Sequence, residues 1–309
     1  MARDGPPRIL VLGARGQVGC ELLRALDSLG SVTGADRSTA DLGEPEVLRS
    51  IVRRYRPNVV INAAAHTAVD RAETEPDIAH TINAVAPGVL AQEARSIGAC
   101  FVHYSTDYVF DGRQSAPYRE TDLTNPLSVY GRSKLAGEVA VSRAGGRHLL
   151  FRTSWVVSSH GRNFVKTILG LATTRRDLRV VADQHGAPTT ARLVAQVTAH
   201  ALRSMMDATE IDDRWGVYHL TAAGETTWYE LARHVIRRAR ELGVPLKASP
   251  DSVTPVTSAE YPTPAKRPAN SRLDTAKLRR VFAVPLPDWK LGVDEVLEQL
   301  RTEQGVAAS

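Results

Sequence analysis

The sequence predicts an α/β protein in which helices wind on both sides of a parallel sheet, followed by a smaller C-terminal lobe. Three observations carry that expectation. Apolar runs of strand length alternate with amphipathic stretches through the first half of the 309 residues. The first run stops abruptly at a glycine-rich turn, and after about residue 154 the alternation loosens. A hydrophobic fraction of 43% and a charged fraction of 24% suit an ordinary globular chain and exclude a disordered or fibrous one. The boundary expected from the rhythm puts a ligand-binding sheet domain at 1–154 and mainly a second lobe at 155–309, with one or two segments of the latter returning to the main sheet.

Arg8-Ile9-Leu10-Val11-Leu12 reads as the first strand, and Leu22, Leu23 and Leu26 recur at helical spacing after it. Between them lie Gly13, Gly16, Gln17, Val18 and Gly19. Glycines at this three-residue spacing, after a strand and at the mouth of a helix, allow a tight turn, close approach of backbone to a pyrophosphate, and close helix packing. This is the Rossmann-type signature of a dinucleotide site. The next apolar segment ends at Asp36-Arg37, with Asp41-Leu42 beyond it. Asp36 can accept from an adenosine ribose, whereas Arg37 can pair with a 2′-phosphate, so NADH and NADPH both stay open. A helix is expected from about 44 to 55.

The third strand, Val59-Val60-Ile61-Asn62, runs into Ala63, Ala64, Ala65, His66 and Thr67. Small side chains at a strand's carboxyl end let a flat cofactor lie against the backbone. His66 is read as a structural donor rather than a base. A long helix from about 77 to 98 should turn Asn83 inward. The fourth strand carries Tyr104 and ends in Ser105-Thr106-Asp107, where open parallel sheets bind ligands. A polar loop from 112 to 126 then leads to Tyr130-Gly131-Arg132-Ser133-Lys134. On a helix Tyr130 and Lys134 share a face, which would place an ammonium near a phenol and lower its pKa.

In the second half, a helix is expected to begin at Asn163, short strands at 178–181 and 216–220, and helices at 227–242 and 274–282, around a proline-rich stretch from 245 to 268. Cys20 and Cys100 lack metal-like spacing and read as small buried hydrophobes. The formal charge is +5. Its arginine pairs, 53–54, 175–176, 237–238 and 279–280, are each expected in a helix near or toward its end and are too dispersed for a nucleic-acid surface. No apolar stretch is long enough to span a bilayer, and the first seven residues lack a signal peptide's apolar run. The expectation is a cytoplasmic enzyme with neither nucleic acid nor membrane as partner.

The order of these motifs resembles that of extended short-chain dehydrogenase/reductases. Ile61-Asn62-Ala63-Ala64-Ala65-His66-Thr67-Ala68-Val69-Asp70, Ser105-Thr106-Asp107-Tyr108-Val109-Phe110, Phe151-Arg152-Thr153-Ser154-Trp155-Val156 and Asp183-Gln184-His185-Gly186-Ala187-Pro188-Thr189 resemble the dTDP-4-dehydrorhamnose reductase family, from about Arg8 to Leu300. The resemblance implies NADPH- or NADH-dependent reduction of the C4 ketone of a dTDP-linked sugar. Tyr130 would be proton donor, Lys134 would tune the phenol and hold the nicotinamide ribose, and Thr106 would orient the carbonyl. It also implies substrate contacts from Asp107 at the end of the fourth strand and from Trp155, Arg267 and Arg272 in the lobe, and a possible homodimer. Some family members bridge subunits with magnesium. One of its carboxylates corresponds to Arg192 here, which cannot ligate a metal. A related 4-ketoreductase of another deoxysugar pathway and a non-catalytic cofactor-binding subunit are the alternatives.

Overall fold

The computed structural model describes residues 5–205 and 212–307. Strands β1 (Arg8–Leu12), β2 (Ser31–Ala35), β3 (Val59–Asn62), β4 (Cys100–Thr106) and β5 (His148–Thr153) form one sheet with Gly216–His219. All pairings in it are parallel, and the order across it is Gly216–His219, β5, β4, β3, β1, β2. The chain therefore steps from β1 to the β2 edge, then returns to β3 on the other side of β1. That reversal opens a crevice beyond the carboxyl ends of β1 and β3, the place where a ligand can reach both loops.

Period-two alternation on β1 sorts its side chains. Ile9 and Val11 join Leu22, Leu26 and Val194 on one face, while Leu10 and Leu12 join Leu48, Val52 and Leu90 on the other. Helices α1 (Gln17–Ala25) and α2 (Pro45–Tyr55) lie on these opposite faces. The long helix expected from 77 to 98 is interrupted: Pro76–His80 and Ala86–Ser96 flank a π-helical turn, Thr81–Val85, that carries the buried Asn83.

The second half shares the α1-side core. Helix Ala191–Ser204 packs on α1, and its Val194 and Val197 belong to the same cluster as Ile9 and Phe151. This helix and the terminal one, Trp289–Ala307, are missing from the expected elements, although Leu193, Val194, Val197 and Ala201 show helical spacing. The proline-rich stretch contains a strand, Val253–Val256, paired in parallel with Leu178–Val181. Pro255 is accommodated because this ribbon has only two strands, so one side of each is free of a ladder partner. Arg175 and Arg176 fall just beyond their helix, Phe164–Thr174, rather than inside it. Among the described residues, no helix is long and apolar enough to cross a membrane.

Candidate active site

The glycine turn is built by contact with the loop after β3. Gly13 has φ of 77°, and a Cβ there would lie 2.7 Å from the Ala64 nitrogen. A Cβ on Gly19 would come within 2.0 Å of the Gly13 carbonyl oxygen. These two glycines close the turn, and they leave Gly16 and the start of α1 facing outward with no acidic residue in the first helical turn. Backbone N–H groups and the positive end of the helix dipole face that space, which fits a dinucleotide pyrophosphate. Gln17 accepts from the Asn163 amide at 2.9 Å, so its side chain ties the turn to the second half, while Val18 packs toward the core.

At the end of β2, Asp36 accepts from the Ser38 side chain and backbone and is paired with Arg15 at 2.8 Å. The Ser38 hydrogen bond, foremost, holds its carboxyl below the usual range. Arg37 bonds Asp41 at 3.0 Å, and Leu42 is buried. Arg15, absent from the expected site, is thus a second exposed cation beside Asp36. Ala63, Ala64 and Ala65 are half-buried and line the loop, whereas Thr67 is exposed.

Thr106 and Asp107 close β4, and Tyr130 opens the helix Val129–Ala144 beside them. Ser128 caps that helix, its hydroxyl accepting from the Gly131 N–H at 3.1 Å. A Cβ on Gly131 would stand 2.3 Å from the Tyr108 carbonyl oxygen, so glycine is what lets the helix start so close to the β4 end. Tyr108 meets the Tyr130 ring edge-on, with centroids 5.5 Å apart. The Thr106 hydroxyl donates to Asp107 Oδ1 at 3.0 Å and accepts from Tyr108 N–H at 3.2 Å.

The electrostatics correct one expectation. Burial pushes the Tyr130 phenol well above its ordinary pKa; the neighbouring Thr106 hydroxyl pulls down, and the Asp107 carboxylate pushes up again. Lys134 is not among the groups that shift it. Its Nζ donates to the Tyr104 carbonyl at 2.6 Å and lies 3.4 Å from His103 Nε2, and burial, opposed by Glu138, brings its own pKa down to about 8. Residues four apart share a helix face, but a buried amine goes where an acceptor is, and here that is β4. Tyr104 is a second correction: it offers Lys134 its carbonyl, while its ring points to the other face of the sheet, where its hydroxyl pairs with Thr198 at 2.8 Å.

Several residues that sequence reasoning did not place in the site hold it together. Asn83, on the π-turn, accepts from His66 N–H and donates to the His66 carbonyl and to Ser133, so one amide joins the β3 loop to the Tyr130 helix. Gly137 lets that helix approach, since a Cβ there would be 2.1 Å from the Asn83 carbonyl oxygen. Glu138 takes two hydrogen bonds from Arg152, at 2.9 and 2.7 Å, and one from Ser105, tying the helix to β4 and β5. The Phe-Arg-Thr-Ser motif carries Arg152 and was the available signal. His66 meets Asn83 through its backbone, while its buried Nδ1 has no hydrogen-bond partner and its Nε2 is 3.8 Å from Glu75.

The other wall is differently occupied. Asp107 is fully enclosed: burial raises its carboxyl to about 6 against the pull of Ser271 and Thr106, and Oδ2 has no hydrogen-bond partner. An unmatched acceptor beside Tyr130 fits a donor on a bound ligand. Trp155, at a positive φ of 49°, is stacked on Trp228 with centroids 3.5 Å apart, so one face of the expected wall is already covered. Arg267 forms a two-pronged pair with Asp70, at 3.1 and 2.8 Å. Arg272 bonds Glu225 and Asn270, each at 2.8 Å. Both arginines bridge to protein groups rather than standing free for phosphate. Arg192 lies 3.7 Å from Glu295, and a guanidinium cannot ligate a metal, so these residues do not fit a magnesium ion. Cys100 is buried, which pushes its thiol up to about 12, and Cys20 is half-buried.

A glycine turn at the switch point of a parallel sheet, facing a buried Thr-Tyr-Lys constellation, defines an extended short-chain dehydrogenase/reductase. Comparison with known proteins narrows this. The family model described as RmlD substrate binding domain matches residues 7–302. The dTDP-4-dehydrorhamnose reductase of Escherichia coli K12 is 48% identical over 302 residues, covering 96% of this chain and 99% of that one; that of Burkholderia thailandensis is 47% identical, covering 96% and 100%. Among solved structures, a dTDP-4-dehydrorhamnose reductase from Clostridium acetobutylicum superposes with a TM-score of 0.85 at 36% identity, covering 95% and 99%. One from Bacillus anthracis in complex with NADP gives 0.82 at 32%, with the same coverage. The chain belongs to the dTDP-4-dehydrorhamnose reductase family.

Proposed function

We propose that this protein reduces the C4 ketone of dTDP-4-dehydro-6-deoxy-L-mannose, giving dTDP-β-L-rhamnose. NADPH or NADH, bound over Gly13, Gly16 and Gly19 and along the loop of Ala63 to Ala65, supplies the hydride. The carbonyl oxygen gains negative charge as it is reduced, and stabilising that charge is the main demand on the protein. Tyr130 donates its proton there. Its buried phenol keeps that proton across the neutral range, so it is a reservoir that releases only to a stronger base such as an alkoxide. Thr106 orients the carbonyl, and Lys134 holds the nicotinamide ribose beside it.

The single observation carrying this reading is the buried Tyr130 phenol, packed edge-on against Tyr108 where Thr106 ends β4, beside the crevice. Asp107, with its unmatched oxygen, bonds a sugar hydroxyl. Arg267 and Arg272 serve the nucleotide diphosphate by exchanging Asp70 and Glu225 for it, and the half-buried Trp155 borders the sugar. The cofactor choice rests on Asp36 with Arg15 and Arg37 beside it, a set that can serve a ribose hydroxyl and a 2′-phosphate alike. We read the protein as cytoplasmic, with a nucleotide sugar rather than nucleic acid as its partner, and any homodimer as formed without a bridging metal.

A parallel turnover screen of several nucleotide-linked 4-ketosugars with NADH and NADPH tests the proposal. Oxidation of the nicotinamide fastest with the dTDP-linked rhamnose precursor is the expected result. A faster reaction with another ketosugar would move the assignment to a sister pathway, and no oxidation with bound cofactor would leave a binding subunit.

A further inference from the structure

Behind Lys134, away from Tyr130, runs a chain of buried polar contacts that the reduction itself does not use. The Ala64 N–H donates to Asn62 Oδ1 at 3.2 Å, Asn62 Nδ2 lies 3.3 Å from His103 Nδ1, and His103 Nε2 lies 3.4 Å from Lys134 Nζ. Asn62 and His103 are each 1% exposed and Lys134 2%, so an unmatched donor or acceptor here is cut off from bulk solvent.

Each link fixes the next. A backbone N–H only donates, so the Asn62 atom facing Ala64 is its oxygen, and the one facing His103 is its NH₂ group. That group also only donates, so Nδ1 presents its lone pair, and a neutral imidazole then carries its proton on Nε2. The ring is neutral because burial holds its pKa well below the usual value. Nε2–H therefore points at Nζ. An ammonium has three donors and no acceptor, which would set donor against donor; an amine accepts from Nε2–H and still donates to the Tyr104 carbonyl.

We propose that in mildly alkaline solution His103 is a positioning residue that stores Lys134 as a neutral amine in the cofactor-free protein, and that binding of the dinucleotide there draws one proton from solvent onto Nζ. The Nζ lone pair takes that proton, no electrons change hands, and the cation formed offsets part of the charge the dinucleotide phosphates bring. The other groups near Nζ allow this. On its own helix Glu138 favours the cation but is engaged by Arg152 from β5, and Tyr130 is a neutral phenol. From β4 come only His103 and the Tyr104 carbonyl. The π-turn reaches the helix through the uncharged Asn83, at Ser133. A lysine brought down to about 8 by burial is consistent with storage as an amine in mildly alkaline solution.

The inference rests on the nicotinamide-reductase reading, and titration calorimetry separates the two. NADH or NADPH is titrated into the whole protein in two buffers of different ionisation enthalpy, so that the heat difference counts protons. At about pH 8.5, where no cofactor phosphate titrates, a substantial fraction of a proton should be taken up per cofactor bound, falling to near zero at about pH 6.5 with NADH, which carries no 2′-phosphate. His103→Phe keeps a flat ring against Phe101 but removes Nε2–H, and should cut the uptake at the higher pH by at least about half. Asn62→Asp turns the relay round by accepting from Nδ1, leaving Nε2 to accept from an ammonium, and should bring the uptake toward zero. A cofactor that binds with no proton uptake in the unaltered protein overturns the proposal and leaves the reductase reading standing. Uptake unchanged in both variants overturns the role of His103. Failure of either cofactor to bind at all would remove both readings.

Discussion

The cofactor side of the crevice is made of backbone and short side chains fixed at strand ends, whereas the substrate side is made of long side chains that already hold protein partners. A Cβ on Gly13 would come within 3 Å of the Ala64 backbone, and one on Gly19 within 3 Å of the Gly13 backbone, so glycine is what lets these segments meet. Thr106 and Tyr130 are likewise set by a strand end and a capped helix start. By contrast, Arg267 is satisfied by Asp70, Arg272 by Glu225 and Asn270, and Trp155 by Trp228. The difference teaches that motifs fixing backbone path locate a site directly. A motif ending in a long charged side chain locates only the neighbourhood, because the head group chooses among several acceptors.

The comparison can be broken most easily at Tyr130. Tyr130→Phe should lower kcat by about 10³-fold while leaving cofactor affinity unchanged, because only the proton is lost. Steady-state turnover with the ketosugar and a separate cofactor titration read the two effects, and unchanged turnover would end the assignment of the donor. Gly131→Ala tests whether backbone contact sets the geometry. The added methyl meets the Tyr108 carbonyl, so the helix start must shift, and kcat should fall by roughly 10²-fold with a stability loss of about 1–3 kcal/mol. A near-normal rate would mean that the helix position is not critical.

The substrate side predicts smaller effects. Arg267→Ala should raise KM for the nucleotide sugar about tenfold with little change in KM for the cofactor, whereas Asp70→Asn, which frees Arg267 from its carboxylate, should lower it. If both variants move KM in the same direction, Arg267 and Asp70 act as a strut rather than as competitor and ligand.

Asp107→Asn gives the smallest and most pH-dependent effect. Its carboxyl is raised from the ordinary 3.8 to about 6, so the folded state binds more protons between these values and loses stability as pH rises through them. Replacing the carboxylate should therefore stabilise the protein by about 1–3 kcal/mol above roughly pH 6, and the gain should vanish by about pH 4. Melting temperatures across that range are the check, and a gain that persists at the acid end would point to packing instead of charge.

Much of the fold was legible because it is written in local periodicity. The first four strands, the glycine turn and the helix bearing Tyr130 fall where apolar runs and breakers put them. Helix Ala191–Ser204 carries the same kind of signal, but it follows a stretch in which strand and helix patterns stop alternating, so the rhythm of the first half does not point to it. The π-turn at Thr81–Val85 had no such signal. Its cause is tertiary: Asn83 must reach both His66 and Ser133.

The sequence by itself determined the Rossmann-type sheet, the dinucleotide turn and the presence of Thr106, Tyr130 and Lys134 in one neighbourhood, because short-range spacing controls backbone path. Only the tertiary structure decided what each polar head group does there. It gave the Lys134 amine to β4 instead of the phenol, joined Asn62 and His103 behind it, and paired Arg267 with Asp70, 197 residues away. Burial removes water as a partner, so the choice falls to whichever donor or acceptor the fold brings within about 3 Å, and no local pattern encodes that distance.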